Sequence, residues 1–325
     1  MNNINNINEQ LAIDYQPFVS VVVPIYNGEI EISELVKCLV NQTYDADKSE
    51  FLLVDNNSQD NTANLLKTEI DKYKGQKNLK YISETQVQSS YAARNAGIKQ
   101  SQGEIIAFTD ADCRPQPDWL TNLVKPFANP RISIVAGEVE GLGGNSFWEQ
   151  YATLYKTLSQ KYTLAHPFAP YGQTANLAVR KEVFKVVGLF RPYLTTGGDA
   201  DICWRILREI ESEIVFEPSA LVFHRHRDNL ADFRSQWRRY GKSNQYLHEI
   251  YGTKLNPQYN LGIAFNRIFR WLVKDLPITT VKAIMGKAEL VEIVKTPIEL
   301  IRWEAHSNGQ KNAKLPEEAQ EIERL

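Results

Sequence analysis

Four short apolar runs, each followed by a segment of helical period, constrain the fold of this chain more than any other feature. The run "FVSVVVPI" (18–25), ended by Pro24, is continuous enough for a strand buried on both faces. Ile32, Leu35, Val36, Leu39 and Val40 then recur at the spacing of one helix face. "FLLV" (51–54) is a second buried strand, and Asp60 stands where it can cap a helix carrying Leu65, Leu66 and Ile70. "LKYIS" (79–83), the helical "SSYAARNAGIKQS" (89–101) and "EIIAFT" (104–109) continue the alternation. Strand, helix, strand, helix predicts an α/β fold whose central sheet is mainly parallel, with crossover helices.

Composition narrows the function classes. With 325 residues and 43% hydrophobic content, the chain can build one large domain plus an appendage. Its 37 basic and 39 acidic residues leave a net charge of -2, so no global field recruits nucleic acid, and none is expected as a partner. Cys38, Cys113 and Cys203 are odd in number and widely spaced, which argues against a disulfide framework and for a reducing, cytoplasmic setting. Neither a signal-like start nor a run of about 18 uninterrupted apolar residues is present, so no membrane span is expected. The Asn-rich residues 1–17 are expected to form a flexible leader, and the polar residues 306–325 a mobile tail.

The stretch "AFTDADCRP" (107–115) sets Asp110 and Asp112 two residues apart, directly after the fourth strand. In a parallel sheet that position lies at the crevice where ligands bind. Residues i and i+2 of an extended chain face the same way, and two neighbouring carboxylates repel unless a cation bridges them or each finds its own partner. The spacing therefore suggests a divalent ion, Mg²⁺ or Mn²⁺, held together with a phosphate-bearing ligand. A plainer reading keeps both aspartates as a solvated loop ahead of the helix that starts at "PQPDWL". Phosphate folds of other kinds lack their residues: no G-x-x-x-x-G-K-[ST] is present, and "PIYNGE" rather than G-x-G-x-x-G follows the first strand. A calcium loop fails at Pro115 and Thr121, where Gly and Glu are required.

The blocks "VSVVVPIYNGE", "FLLVDNNSQDNT", "AARNAGI", "GEIIAFTDAD" and "GGDADICWRI" together resemble, in order and spacing, family 2 of the inverting GT-A-fold glycosyltransferases. The resemblance covers about residues 18–228. It implies a GT-A, Rossmann-like catalytic domain over 18–230 and a C-terminal helical extension over 231–305. It also implies transfer of a sugar from a nucleotide-diphosphate donor to an acceptor hydroxyl, as in polysaccharide, glycan or glycolipid synthesis. By this resemblance Pro24, Tyr26, Asn27, Asp55 and Asn56 hold the nucleotide, and Arg94 lines the donor pocket near the diphosphate. Asp110 contacts the ribose or the water shell of the ion, and Asp112 binds Mn²⁺ or Mg²⁺ directly. The family's usual second acidic position is Asn56 here, an amide that donates as well as accepts. A UDP-sugar is the expected donor, with guanosine and thymidine diphosphate sugars as alternatives.

The second half of the chain supplies the acceptor side. "GQTANLAVR" (172–180) resembles the segment lining the acceptor pocket, with Asn176 as its polar candidate; a glycan or a lipid-linked molecule is the implied acceptor. In "LTTGGDADICWRILRE", Asp199 aligns with the family's catalytic base, although an Asp at a helix start can equally be a cap. Gly198 stands where a Glu is common, and Asp201 reads as a helix-start charge favourable to the dipole. His224 in "LVFHRHR" matches a metal or diphosphate ligand of GT-A enzymes, and His226 can share its face.

Beyond residue 230, Arg267, Arg270 and Lys274 flank Ile268, Phe269, Leu272 and Val273, and a second stripe runs through Val281, Ile284, Ala288, Val291, Ile298 and Ile301. Such helices pack on the catalytic domain or on a second subunit as a homodimer, or else lie on a membrane surface. Two rivals to glycosyl transfer remain at this level. One is a nucleotidyltransferase, which would normally carry a Gly- and Lys/Arg-rich loop after the first strand. The other is a catalytically silent nucleotide-sugar or carbohydrate-binding module.

Overall fold

The structure, a computed structural model, describes residues 15–325, so most of the expected leader 1–17 lies outside the described residues. Two compact units emerge: residues up to 140 with 158–224 and 316–325, and residues 141–157 with 225–315.

In the first unit the apolar runs become strands β1 (Val19–Ile25), β2 (Ser49–Asp55), β3 (Leu79–Ser83) and β4 (Ile105–Thr109). β5 (Cys113–Pro115), β6 (Ile132–Gly141), β7 (Asn176–Arg180) and β8 (Glu213–His224) complete an eight-stranded sheet of order β3-β2-β1-β4-β7-β6-β8-β5. β1 pairs in parallel with β2 and β4, and β2 with β3; β7 then pairs antiparallel with both β4 and β6, and β5 with β8. The sheet is thus mixed: its first half is the expected parallel, Rossmann-like layer, and its second half contains antiparallel pairs, with β7 running against both β4 and β6. β1, β2 and β4 are buried along their whole length, which explains why they read as continuous apolar runs.

Helices α1 (Ile32–Val40), α2 (Thr62–Lys72) and α3 (Ser90–Gln100) form the crossovers. Their entry loops are laced together at the carboxyl ends of the strands. The Asn27 N–H donates to Ser58 Oγ at 2.9 Å, Gln59 N donates to Asn27 Oδ1 at 2.8 Å, and Gly28 N donates to Thr62 Oγ1 at 2.8 Å. Four shorter or later helices belong to the same chain order: α4 (Trp119–Val124), α5 (Phe147–Leu154), α6 (Gln160–Leu164) and α7 (Val183–Val187). The long α8 (Gly198–Glu209) then carries the GGDAD block.

Two expectations about boundaries are corrected. Residues 141–157, placed inside the catalytic domain by sequence, cluster with the helical unit. The end of the chain, expected to be a mobile tail from 306, is ordered by specific bonds. Residues 306–312 finish a long helix, and 316–325 return to the first unit. There Leu189 N donates to Glu323 O at 2.7 Å, Arg191 Nη1 donates to Ala319 O at 3.1 Å, and Ala319 is fully buried. Composition could not reveal this, because the docking uses backbone carbonyls that any sequence offers.

The second unit holds α5, α9 (Leu230–Tyr251), α10 (Leu261–Arg270), α11 (Leu276–Ile284), α12 (Leu290–Ile293) and α13 (Lys295–Asn312). Its core joins Tyr151, Phe233, Val291 and Ile298, with Trp148 and Trp237 packed against them. Of the two stripes read in the sequence, Val291 and Ile298 are therefore packing residues. Phe269, Leu272, Val273, Val281 and Ile284 are exposed.

Candidate active site

The DAD triplet leaves the end of β4 and is fixed on both sides. Cys113 N donates to Asp110 O at 3.1 Å to close the turn, and Arg114 folds back to donate to Ala111 O at 3.1 Å while its other amino group meets Glu31. Because β5 pairs with β8 in the register Cys113↔His224, the residue before Cys113 lies beside the end of β8. Asp112 Oδ1 is 3.4 Å from His224 Nε2. The antiparallel ladder thus brings together two residues, far apart in sequence, that the resemblance had each assigned to the metal. His226, the alternative ligand, falls in the other unit.

One carboxylate oxygen and one imidazole nitrogen at this separation are a donor pair that suits a divalent cation. Among the described residues no group of three or more His, Cys, Asp or Glu side chains can hold a metal by itself. An ion at this pair would therefore complete its shell from a ligand such as a diphosphate, together with water.

Helix α3 organises the opposite wall through three residues on one face. Arg94 is buried, and its Nη2 donates to Asp110 Oδ1 at 2.6 Å, with the guanidinium 5.5 Å from the Tyr91 ring centroid. Arg94, expected to line the donor pocket near the diphosphate, has Asp110 as its partner in this structure. Asn95 exchanges two hydrogen bonds with the backbone of Phe190, at 2.8 and 3.0 Å, fixing the loop that leads to α8. Gly198 N donates to Tyr91 Oη at 2.9 Å.

Both glycines before Asp199 have a physical reason. Gly197 has φ of 84°, a left-handed conformation that costs glycine nothing. A Cβ on Gly198 would sit 2.7 Å from the Tyr91 ring, so the Glu that is common at this position has no room here. Asp199 emerges on the first turn of α8, and its Oδ1 accepts from Thr174 Oγ1 at 2.9 Å. Burial raises its carboxyl above the ordinary value of 3.8; the nearby Arg94 charge and the Thr174 hydrogen bond oppose that rise, and Asp110 adds to it. Asp201, two residues on, is fully buried and clamped by Arg191 Nε at 2.9 Å and Arg205 Nη2 at 2.9 Å. It is a structural ion pair rather than merely a helix-start charge.

The remaining nucleotide candidates sit at the carboxyl ends of β1 and β2. Pro24 lies within β1, buried and in register with Val54. Tyr26 is half exposed at the rim. Asp55 is buried, accepting from Ser58 N at 3.1 Å and Tyr81 Oη at 3.1 Å. Both donors of the Asn56 amide are used by the loop after β3, on Glu84 O at 3.1 Å and Val87 O at 2.9 Å. A carboxylate could not make those bonds, which gives the departure at this position a structural cause.

Asn176 is a correction. Its side chain is fully buried, accepts from Trp119 Nε1 at 2.8 Å, and donates to Glu138 O at 2.8 Å and Ala220 O at 2.7 Å. It ties β7 to its neighbours and cannot meet an acceptor. Asn176→Ala is expected to lower the unfolding free energy by about 2–4 kcal/mol, since each buried group left unpaired costs roughly 1–3 kcal/mol. Denaturant titration checks this, and turnover per folded molecule should stay within about twofold of wild type. Sequence reasoning missed Tyr91 and Thr174. The i, i+3 spacing of Tyr91 and Arg94 on α3 was the available signal for the first.

The family model described as Glycosyl transferase family 2 matches residues 20–193. Glycosyltransferase AglE of Haloferax volcanii is 37% identical over 185 residues, 56% of this chain and 59% of that protein. The Pre-mycofactocin glycosyltransferase of Mycobacterium tuberculosis is 30% identical over 190 residues, 57% of this chain and 40% of that protein. The chain thus matches about half the length of these curated relatives. Mannosyltransferase PcManGT from Pyrobaculum calidifontis, in complex with GDP-Man and Mn2+, shares the fold with a TM-score of 0.62 at 18% identity, over 95% of this chain and 98% of that one. S. aureus TarS 1-349 in complex with UDP-GlcNAc does so with a TM-score of 0.51 at 18% identity, over 92% and 97%.

Proposed function

The chain belongs to glycosyl transferase family 2 and has the GT-A fold, and from that premise we propose that it transfers a sugar from a nucleoside-diphosphate donor to an acceptor hydroxyl with inversion at the anomeric carbon. Asp199 is the base. It takes the acceptor's hydroxyl proton as that oxygen attacks the anomeric carbon, and the diphosphate departs from the opposite face. The observation that carries this reading is the setting of Asp199. A carboxylate on a glycine-shaped helix start is oriented by Thr174, made more basic by burial, and lies within electrostatic reach of Arg94 and of Asp110 in the DAD triplet.

Each remaining group serves that proton transfer or the donor. Arg94 keeps Asp199 ionisable despite burial and aligns Asp110. Tyr91 supports the backbone that delivers the base. Asp112 and His224 would hold a divalent cation, Mn²⁺ or Mg²⁺, which when bound acts as a Lewis acid for charge developing on the leaving diphosphate. Tyr26, Asn27 and Asp55 line the side where the nucleotide would lie. A UDP-sugar remains the first donor to test and a GDP-sugar the second, since the neighbours described above include complexes with UDP-GlcNAc and GDP-Man. The acceptor is a glycan or a lipid-linked molecule.

A thermal-shift screen of nucleotide sugars in Mn²⁺ tests donor recognition. One donor class should stabilise the protein by about 2.7 kcal/mol when present at a hundredfold its Kd. No shift with any nucleotide sugar would contradict the reading.

A further inference from the structure

Helices α10 and α11 carry more exposed apolar surface than their own packing explains. Their inner face is already satisfied. Ala264 is 6% exposed, Arg267 Nη2 donates to Glu299 Oε2 at 2.7 Å, and Trp271 Nε1 donates to Ile293 O at 2.8 Å. The outer face nevertheless presents Leu261, Phe265, Phe269, Val273, Val281 and Ile284, each between 56% and 82% exposed. The first four recur every fourth residue and so form one continuous stripe along α10 and the turn after it. With its inner face held by the protein's own contacts and its outer face apolar and exposed among the described residues, the helix calls for an apolar phase on its second side. Scattered exposed apolar residues need no explanation; a stripe of this continuity does.

Charge identifies the second phase. Between residues 261 and 290 the chain carries five basic side chains, Arg267, Arg270, Lys274, Lys282 and Lys287, against two acidic ones, Asp275 and Glu289. The chain as a whole has a net charge of -2, so this excess is local. Three of the basic residues directly follow an exposed apolar residue: Arg270 after Phe269, Lys274 after Val273, and Lys282 after Val281. One residue is about 100° of helix, so the cations line one edge of the apolar face. No helix among the described residues is long and apolar enough to cross a membrane. A second copy docked about a two-fold axis would bring the same basic residues into its own interface, where like charges oppose.

We propose that the outer face of α10 and α11 is a membrane-binding surface, lying in the interface of an anionic phospholipid bilayer with Phe265 and Phe269 inserted and Arg270, Lys274 and Lys282 at the headgroups. Apolar insertion plus electrostatic attraction is the combination that holds an in-plane helix. The assignment is independent of the transfer chemistry.

Vesicle flotation of the full chain without donor tests it, using phosphatidylcholine vesicles with and without phosphatidylglycerol. Wild type should float with the anionic vesicles, more weakly with phosphatidylcholine alone, and less in 1 M salt, where the Debye length falls to about 3 Å. Phe265→Ser with Phe269→Ser should cut anionic binding by at least about tenfold with an unchanged melting temperature, since both rings are exposed. Lys274→Glu with Lys282→Glu should remove the preference for phosphatidylglycerol and keeps the test open should the serine variant misfold. Wild type that stays in solution with anionic vesicles overturns the proposal, as does equal flotation of folded variants. A wild-type dimer that does not float, and that the serine variant splits into monomers, gives the face to a second copy instead.

Discussion

Asp199→Asn is expected to lower turnover by roughly 10² to 10⁴, the usual worth of a positioned proton transfer, while leaving the fold and donor affinity in place. The amide oxygen can still accept from Thr174 Oγ1, so the helix start keeps its anchor. Asp201→Asn should do the opposite. It removes one charge from a buried cluster that holds Arg191 and Arg205, so stability should fall by about 3–5 kcal/mol while the folded fraction turns over normally. The pH profile separates the two roles further. Burial raises the Asp199 carboxyl, so the acid limb of the rate should lie above the ordinary carboxylate value of 3.8. The same shift has a stability sign. A carboxyl whose folded pKa is raised contributes stability below its unfolded pKa that is lost as pH rises through the folded value. Asp199→Asn should therefore gain stability relative to wild type on the alkaline side of that window. Wild-type turnover in Asp199→Asn would remove the base from this mechanism.

Asp112→Asn should weaken metal-dependent donor binding by at least about a hundredfold and transfer by about 10³ or more, because a Lewis acid at a leaving phosphate is worth several kcal/mol. The asparagine keeps the volume and the oxygen nearest His224 but loses the charge that a divalent ion requires. His224→Ala should cost less, since a nitrogen ligand can be replaced by water more readily than an anionic one. Calorimetry of donor with Mn²⁺, and again with chelator, measures both. Equal donor affinity in chelator, or in Asp112→Asn, would sink the metal assignment while leaving the base untouched.

Legibility from sequence follows from how local each signal is. β1, β2 and β4 were readable because burial on both faces leaves an uninterrupted apolar run. β6 and the antiparallel run of β7 between β4 and β6 were not, since strand direction depends on connections that local period does not encode. The DAD triplet and the GGDAD block stand out because they break the pattern of their neighbours. What they touch stands out less: Asp110 meets Arg94 and Asp199 meets Thr174, pairs separated by 16 and 25 positions, whereas Asp112 and His224, 112 positions apart, were joined only through the metal role that the resemblance gave to both. Asn176 misled for a related reason. A polar residue at a strand start reads as available until the fold wraps Trp119, Glu138 and Ala220 around it. The helical extension divided because periodicity marks apolar faces without saying which face finds a partner, so Val291 and Ile298 are packed while Phe269 and Val281 are not.

Release of nucleoside diphosphate, measured with a panel of UDP- and GDP-sugars in Mn²⁺ and again in chelator, tests the central claim most directly. The account predicts release from one donor class, abolished by chelator and reduced by roughly 10² or more in Asp199→Asn when an acceptor is present. Release that persists undiminished in chelator would contradict it, and so would donor binding without release under any acceptor, the behaviour of a silent binding module.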